Sequence, residues 1–177
     1  AAASRGWSLR FLNNAAYLWR LLQTFQEPIR RFLYWGHARD DLWLTLSHSD
    51  TTPTRPEEDA VVKVSDIAAA IAADAGLPWR FRFSDTGNKH QFVGCNTSAF
   101  ARAWSSQLGV WAQGVTGKVD FSAIHTSGGV PSLEGSATIT TFDKGSEKSS
   151  DTTWGGRGAN PPRGESRIFI DAGHGGR

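Results

Sequence analysis

At 177 residues and 39% hydrophobic composition, the chain is long enough for one core of ordinary size and too apolar for a disordered protein. A formal net charge of +2 falls well short of the basic footprint of a nucleic-acid-binding domain, so composition gives no strong nucleic-acid signal. The single cysteine, Cys95, excludes an internal disulfide and any multi-cysteine zinc or iron–sulfur site, and no apolar run approaches the roughly eighteen residues of a membrane-spanning helix.

Methionine is absent even at position 1, which reads as the processed end of an exported or organellar protein. From Ser8 to Phe25 the apolar residues Phe11, Ala15, Leu18, Leu22 and Phe25 recur at steps of three and four, the pattern of an amphipathic helix. Pro28 suits the first turn of a second short helix carrying Ile29, Phe32, Leu33 and Trp35 and ending near Gly36. Trp7, Trp19, Trp35 and Trp43, interleaved with arginines, would let this first quarter dock on a partner or lie on a membrane interface; they would equally cover a sheet. Residues 41–47, DLWLTLS, alternate as a strand, and residues 49–59 carry two prolines among acids and hydroxyls, the composition of a linker.

Ser65 is placed to cap a small-residue helix, DIAAAIAADA, which Gly76 and Pro78 would end. Residues 79–84, WRFRFS, alternate as a strand, and Phe100, Trp104, Leu108 and Trp111 predict a helix over 97–113, with Gly109 an interruption and Gly114 the stop. Strands are expected over 118–125 and 135–142, a glycine- and serine-rich loop over 143–166, and a terminal strand from Arg167. The organisation is thus an amphipathic helical segment and strand (1–48), a linker (49–59), an α/β core (60–142), a flexible loop (143–166) and a terminal strand with a Gly/His motif (167–177). Helices alternating with strands require crossover connections, so the expected fold is α/β, a mixed, partly parallel sheet with flanking helices, preceded by the amphipathic helical N-terminal segment.

The last residues, RIFIDAGHGGR, carry the sharpest chemical pattern: an apolar strand, an acid, and His174 bracketed by glycines that let the backbone turn tightly. His125 ends a second strand in DFSAIHTSGG, and Glu57 and Glu58 precede the helix from Ser65. Zinc hydrolases need two or three such side chains delivered from strand ends, with one coordination position left to water. Asp120 and Asp171, each near a strand end, would orient a ligand imidazole or serve as plain turn residues. His37, His48 and His90 read as surface or turn histidines. Cys95 reads as a half-buried thiol or, with a base beside it, a nucleophile.

IDAGHGG, SAIH and EEDAVVKVSDIAAAIAADAGL together resemble the zinc-dependent N-acetylmuramoyl-L-alanine amidases, which cleave peptidoglycan between sugar and stem peptide. The resemblance implies a Zn2+ cofactor held by His174, His125 and Glu58, with Glu57 the near alternative to Glu58. It implies Glu134 as the nearest candidate for the family's catalytic glutamate, although no motif surrounds it. The family's first-strand motif comes last here, so the resemblance implies a circularly permuted fold. A different function class stays open beside it: a non-catalytic subunit of a larger organellar, membrane-associated or viral assembly, docking through its tryptophan-rich helices and long tail.

Overall fold

A computed structural model of the protein describes residues 8–11, 15–25, 28–39, 43–45, 61–73, 83, 89–122, 131–154 and 166–171. Its strands are β1 (Ser8–Phe11), β2 (Ile29–Trp35), β3 (His37–Arg39), β4 (Trp43–Thr45), β5 (Val61–Lys63), β6 (His90–Val93), β7 (Trp111–Thr116), β8 (Val119–Asp120), β9 (Ser132–Leu133), β10 (Thr138–Asp143), β11 (Ser146–Asp151) and β12 (Ser166–Asp171). Among the described residues three helices accompany them: α1 (Ala15–Thr24), α2 (Val64–Ala73) and α3 (Ser98–Leu108).

Among the described residues seven strands form the main sheet, in the order β1-β12-β2-β6-β7-β10-β11. The first five are mutually parallel, and β10 and β11 add an antiparallel ribbon, which is the mixed, partly parallel α/β sheet expected. Parallel pairing follows from the connections: α1 carries the chain from β1 to β2, and α3 carries it from β6 to β7. A three-stranded sheet, β3-β4-β5, continues from the end of β2 and leads into α2.

Among the described residues, all three helices pack on one face of the sheet. Leu18 and Leu22 of α1, Ile67 of α2, and Phe100, Trp104 and Leu108 of α3 form one core with Phe32, Tyr34, Phe92 and Ala112. Trp104 is its centre, stacked on Phe32 at 5.1 Å and on Trp19 at 6.4 Å between ring centroids, and edge-on to Phe83 and Phe92. Aromatic pairs in these offset and edge-to-face geometries add to the burial of their large apolar area. On the opposite face Val93, Val115 and Ile139 form a second cluster with Val119 and Ala137, onto which Leu33, Trp35, Cys95 and Trp154 pack. Next to it a polar row crosses four strands: Arg31 Nη2 donates to Gln91 Oε1 at 2.5 Å, Gln91 Nε2 to Gln113 Oε1 at 2.9 Å, and Gln113 Nε2 to Thr141 Oγ1 at 2.9 Å. Each buried amide is thereby satisfied by the next, as a low-dielectric interior requires.

Several expected elements differ. The helix expected from Ser8 begins at Ala15, because the first residues pair as β1 with β12. The second helix, expected from Pro28, is strand β2. Its pairing with β12 shifts register at Ser166/Arg167, so Arg30 is bulged and Ile29 and Phe32 are both buried three residues apart, which imitates helical spacing. The helix expected over 97–113 stops at Gly109, whose φ of 70° makes it a left-handed cap, and Trp111 belongs to strand β7. Within the expected loop 143–166, β11 forms a hairpin with β10 through Lys144 and Gly145, both at positive φ. His90, expected at a turn, is fully buried at the start of β6. The expected linker 49–59 lies outside the described residues, as do all but Phe83 of the expected strand 79–84; Phe83 bridges Ile29.

Candidate functional site at the carboxyl edge of the sheet

The carboxyl ends of β12, β2, β6 and β7 lie along one edge, and in open α/β sheets ligands are met outside such an edge, where neighbouring chains diverge. The divergence here falls between β2 and β6. They are paired through Trp35 and Val93, and Gly36 still donates its N–H to Val93 O at 3.1 Å. Beyond that point β2 runs into β3, starting at His37, while β6 turns through Gly94, Cys95 and Asn96 into α3. The two backbones are so close that a Cβ on Gly94 would collide with the Gly36 carbonyl oxygen. Only glycine fits there.

His37 and Cys95 therefore stand at matched positions, each two residues past the paired ends of adjacent parallel strands. Cys95 is half-buried, and its Sγ accepts the Val119 N–H at 3.3 Å, which fixes the sulfur against the chain leaving β7. Two residues on, Thr97 occupies the N-cap position of α3 without capping it. Its hydroxyl is committed instead to Phe92 O at 2.6 Å and to the Val115 N–H at 2.9 Å. The first turn of α3 thus keeps uncapped N–H donors next to the Cys95 turn, an environment that favours negative charge. Thr97 O and Gly114 are close enough that a Cβ on Gly114 would lie 2.5 Å from that oxygen, so the turn is braced on β7.

Comparison with protein-family models, with curated proteins and with solved structures finds no match to this chain.

Beside the Cys95 turn is a shallow groove of about 420 Å3, lined by Thr116, Gly117, Lys118, Glu134, Gly135, Ser136 and Ala137. Glu134, the residue nearest the expected catalytic glutamate, lies in this groove with its side chain exposed, and its backbone N–H donates to Lys118 O at 3.1 Å. Asp120 closes a local turn, its Oδ1 accepting from Ser122 N at 2.8 Å and Ser122 Oγ at 2.6 Å. Asp171 is the last residue of β12, paired with Phe11 on one side and Trp35 on the other. His174, His125, Glu57 and Glu58 lie outside the described residues. Among the described residues no group of three His, Cys, Asp or Glu side chains is placed to hold a metal ion, and no helix is long and apolar enough to cross a membrane. Of the tryptophans considered for a docking surface, Trp19 stacks on Trp104, and Trp35 packs on the second cluster.

Sequence reasoning considered Cys95 as a nucleophile only if a base stood beside it, and none is near it in sequence. The signal was topological. Two short apolar strands, FLYWGH and HQFVGC, each end in glycine followed by a chemistry-bearing residue, and the sheet sets those ends side by side.

Proposed function

We propose that the protein is a thiol hydrolase that cleaves an amide or ester by acyl transfer, with Cys95 as nucleophile and His37 as its base. The matched positions of these two residues past the paired ends of β2 and β6 carry this reading. His37 accepts the thiol proton as Sγ bonds to the substrate carbonyl carbon. The carbon–nitrogen or carbon–oxygen bond then breaks, and the imidazolium returns the proton to the leaving group. Water attacks the resulting thioester, again with His37 as base, and releases the acid and the free thiol. The groove beside the Cys95 turn offers room for the acyl part of a substrate.

Alkylation of Cys95 by iodoacetamide, followed by mass spectrometry across pH, tests the pair. The native protein should react about tenfold or more faster than its His37→Ala variant, because the imidazole takes the thiol proton. Equal rates in the two proteins would refute the assignment. The His174→Ala variant should behave as the native protein.

A second reading, the zinc-dependent amide hydrolase acting on peptidoglycan, is supported by the place of β12. This strand lies inside the parallel sheet beside β1, so the first and last described strands adjoin as a circular permutation requires, and its Asp171 end, three residues before His174, lies on the carboxyl edge. Glu58 precedes β5, whose Val61 is aligned through Thr45 with His37. In this reading His174, His125 and Glu58 would hold the ion, Asp171 and Asp120 would orient the imidazoles, and Glu134 would handle protons. Zinc, when bound, polarises a carbonyl and acidifies water. Metal analysis of the purified protein and of its His174→Ala variant tests it: one zinc per chain, lost in the variant, supports it, and a zinc-free native protein rules it out.

A further inference from the structure

The chain leaves β11 at one flank of the main sheet and enters β12 on the far side of β10, β7, β6 and β2. β11 is antiparallel to β10 and β10 to β7, while β7, β6, β2 and β12 are parallel, so β11 runs in the direction of β12. It ends at the carboxyl edge and β12 starts at the amino edge, so residues 152–165 must cross a face of the sheet to join them. Handedness selects the face. The steps from β1 to β2 through α1 and from β6 to β7 through α3 go one way along the sheet, with both helices on one face. The step from β11 to β12 goes the opposite way, and parallel crossovers keep a single, right-handed sense, so its connection belongs on the other face. Trp154, three residues past the end of β11, already packs there on the cluster of Val93, Val115 and Ile139. Gln113, in the polar row on that side, is 0% exposed although no described helix covers it.

The register sets the span. Phe169, Leu33, Gln91, Gln113, Thr141 and Ser149 are aligned in one row, with Asp151 two residues beyond it and Ser166 three before it. Five strand spacings of about 4.8 Å and five residues of about 3.3 Å separate the two ends, roughly 30 Å from corner to corner. A helix over residues 152–165 would reach only about 21 Å, whereas extended chain of that length reaches about 50 Å. Pro161 and Pro162 among four glycines also favour extended chain over helix. We infer that the connection from β11 to β12 crosses the face opposite the helices as an extended segment, and that this part of the protein's own chain, not a partner, covers the Gln113 end of that face. Trp35 and the polar row then belong to the interior. The face is closed to a membrane surface or a second protein, whichever chemistry the carboxyl edge performs.

Thiol cross-linking in the full chain tests the crossing. With Cys95→Ser removing the single native thiol, Ala159→Cys near the middle of the connection is combined either with Leu33→Cys on the second face or with Arg102→Cys on the exposed side of α3. Each double-cysteine protein is treated with bismaleimidoethane, and cross-links within one chain are read by peptide mass spectrometry. The expected result is a cross-link from residue 159 to residue 33 and none to residue 102. The reverse outcome puts the connection over the helices and overturns the inference; equal yields, or no cross-link in either protein, overturn it too, because the segment is then not held on the second face. Thermal midpoints accompany both proteins, and should Leu33→Cys not fold, Trp35→Cys, which replaces the next half-buried residue on that face, takes its place.

Discussion

His90 ought to make this protein acid-sensitive in a way that one substitution removes. The ring is fully buried at the start of β6, edge-on to Phe83 at 5.3 Å and tilted against Trp104, and neither nitrogen has a hydrogen-bond partner among the described residues. Burial, with the positive charge of Arg31 as the smaller cause, lowers its pKa from 6.5 to about 3. The folded state therefore holds His90 neutral while the unfolded chain takes up a proton below about pH 6.5, so the contribution to stability is complete above that pH and is lost as pH falls toward 3. Each pH unit in that window is worth about 1.4 kcal/mol, which accumulates to about 2.7 kcal/mol between pH 7.5 and pH 4.5. Against a typical total of roughly 5–15 kcal/mol this is a large share. The assay is urea unfolding of the native protein and His90→Leu, which is similar in volume, at intervals between those two pH values. Titration of the carboxylates is common to both proteins, so the difference between their stabilities isolates His90. It should widen in favour of the variant by about 2.7 kcal/mol at pH 4.5. Parallel curves would show that His90 is protonated, hydrated or partnered in the folded state, and the reasoning from its burial would fall.

Two further substitutions probe the core and the brace behind the site. Gly114→Ala should cost about 3 kcal/mol, because the new Cβ would meet the Thr97 carbonyl oxygen at 2.5 Å and Ala101 Cβ at 2.8 Å, and neither the helix nor the strand can withdraw without moving the other. Its urea midpoint reads the effect, and an unchanged midpoint would mean that α3 does not bear on β7 there. Trp104→Ala removes the ring on which Trp19, Phe32, Phe83, Phe92 and Phe100 converge, with an expected loss of about 3–5 kcal/mol in the same experiment. A loss near 1 kcal/mol would place the centre of the core elsewhere.

Where local sequence and tertiary environment agree, the fold was legible: the helix predicted from Ser65 is α2, and the apolar terminal run is β12. Where a local pattern had two meanings, it misled. Ile29, Phe32 and Leu33 are spaced as on a helix, yet the bulge at Arg30 produces the same spacing in a strand. β11, SEKSSD, has no apolar residue to reveal it, because it pairs at the sheet's outer edge and is largely exposed; the positive φ at Lys144 and Gly145 was its one local signature. The site was less legible than the fold. His37 and Cys95 follow the paired ends of β2 and β6 only because those strands pair, a long-range event that no window of sequence contains, whereas the DAGHGG motif was conspicuous because its chemistry is contiguous.

The position of β12 also bears on the order in which the sheet can be built. It pairs with β1 on one side and β2 on the other, and among the described residues β1 has no other neighbour in the main sheet. A chain emerging from the ribosome can join β2, β6, β7, β10 and β11 while β1 waits, separated from β2 by a gap one strand wide. Closure of that gap awaits the last of the described strands and consists of parallel, long-range pairings, the slowest kind to form. Until β12 arrives, the open flank of β2 presents an unpaired strand edge to any other nascent chain, which makes this late step the point at which folding and aggregation compete.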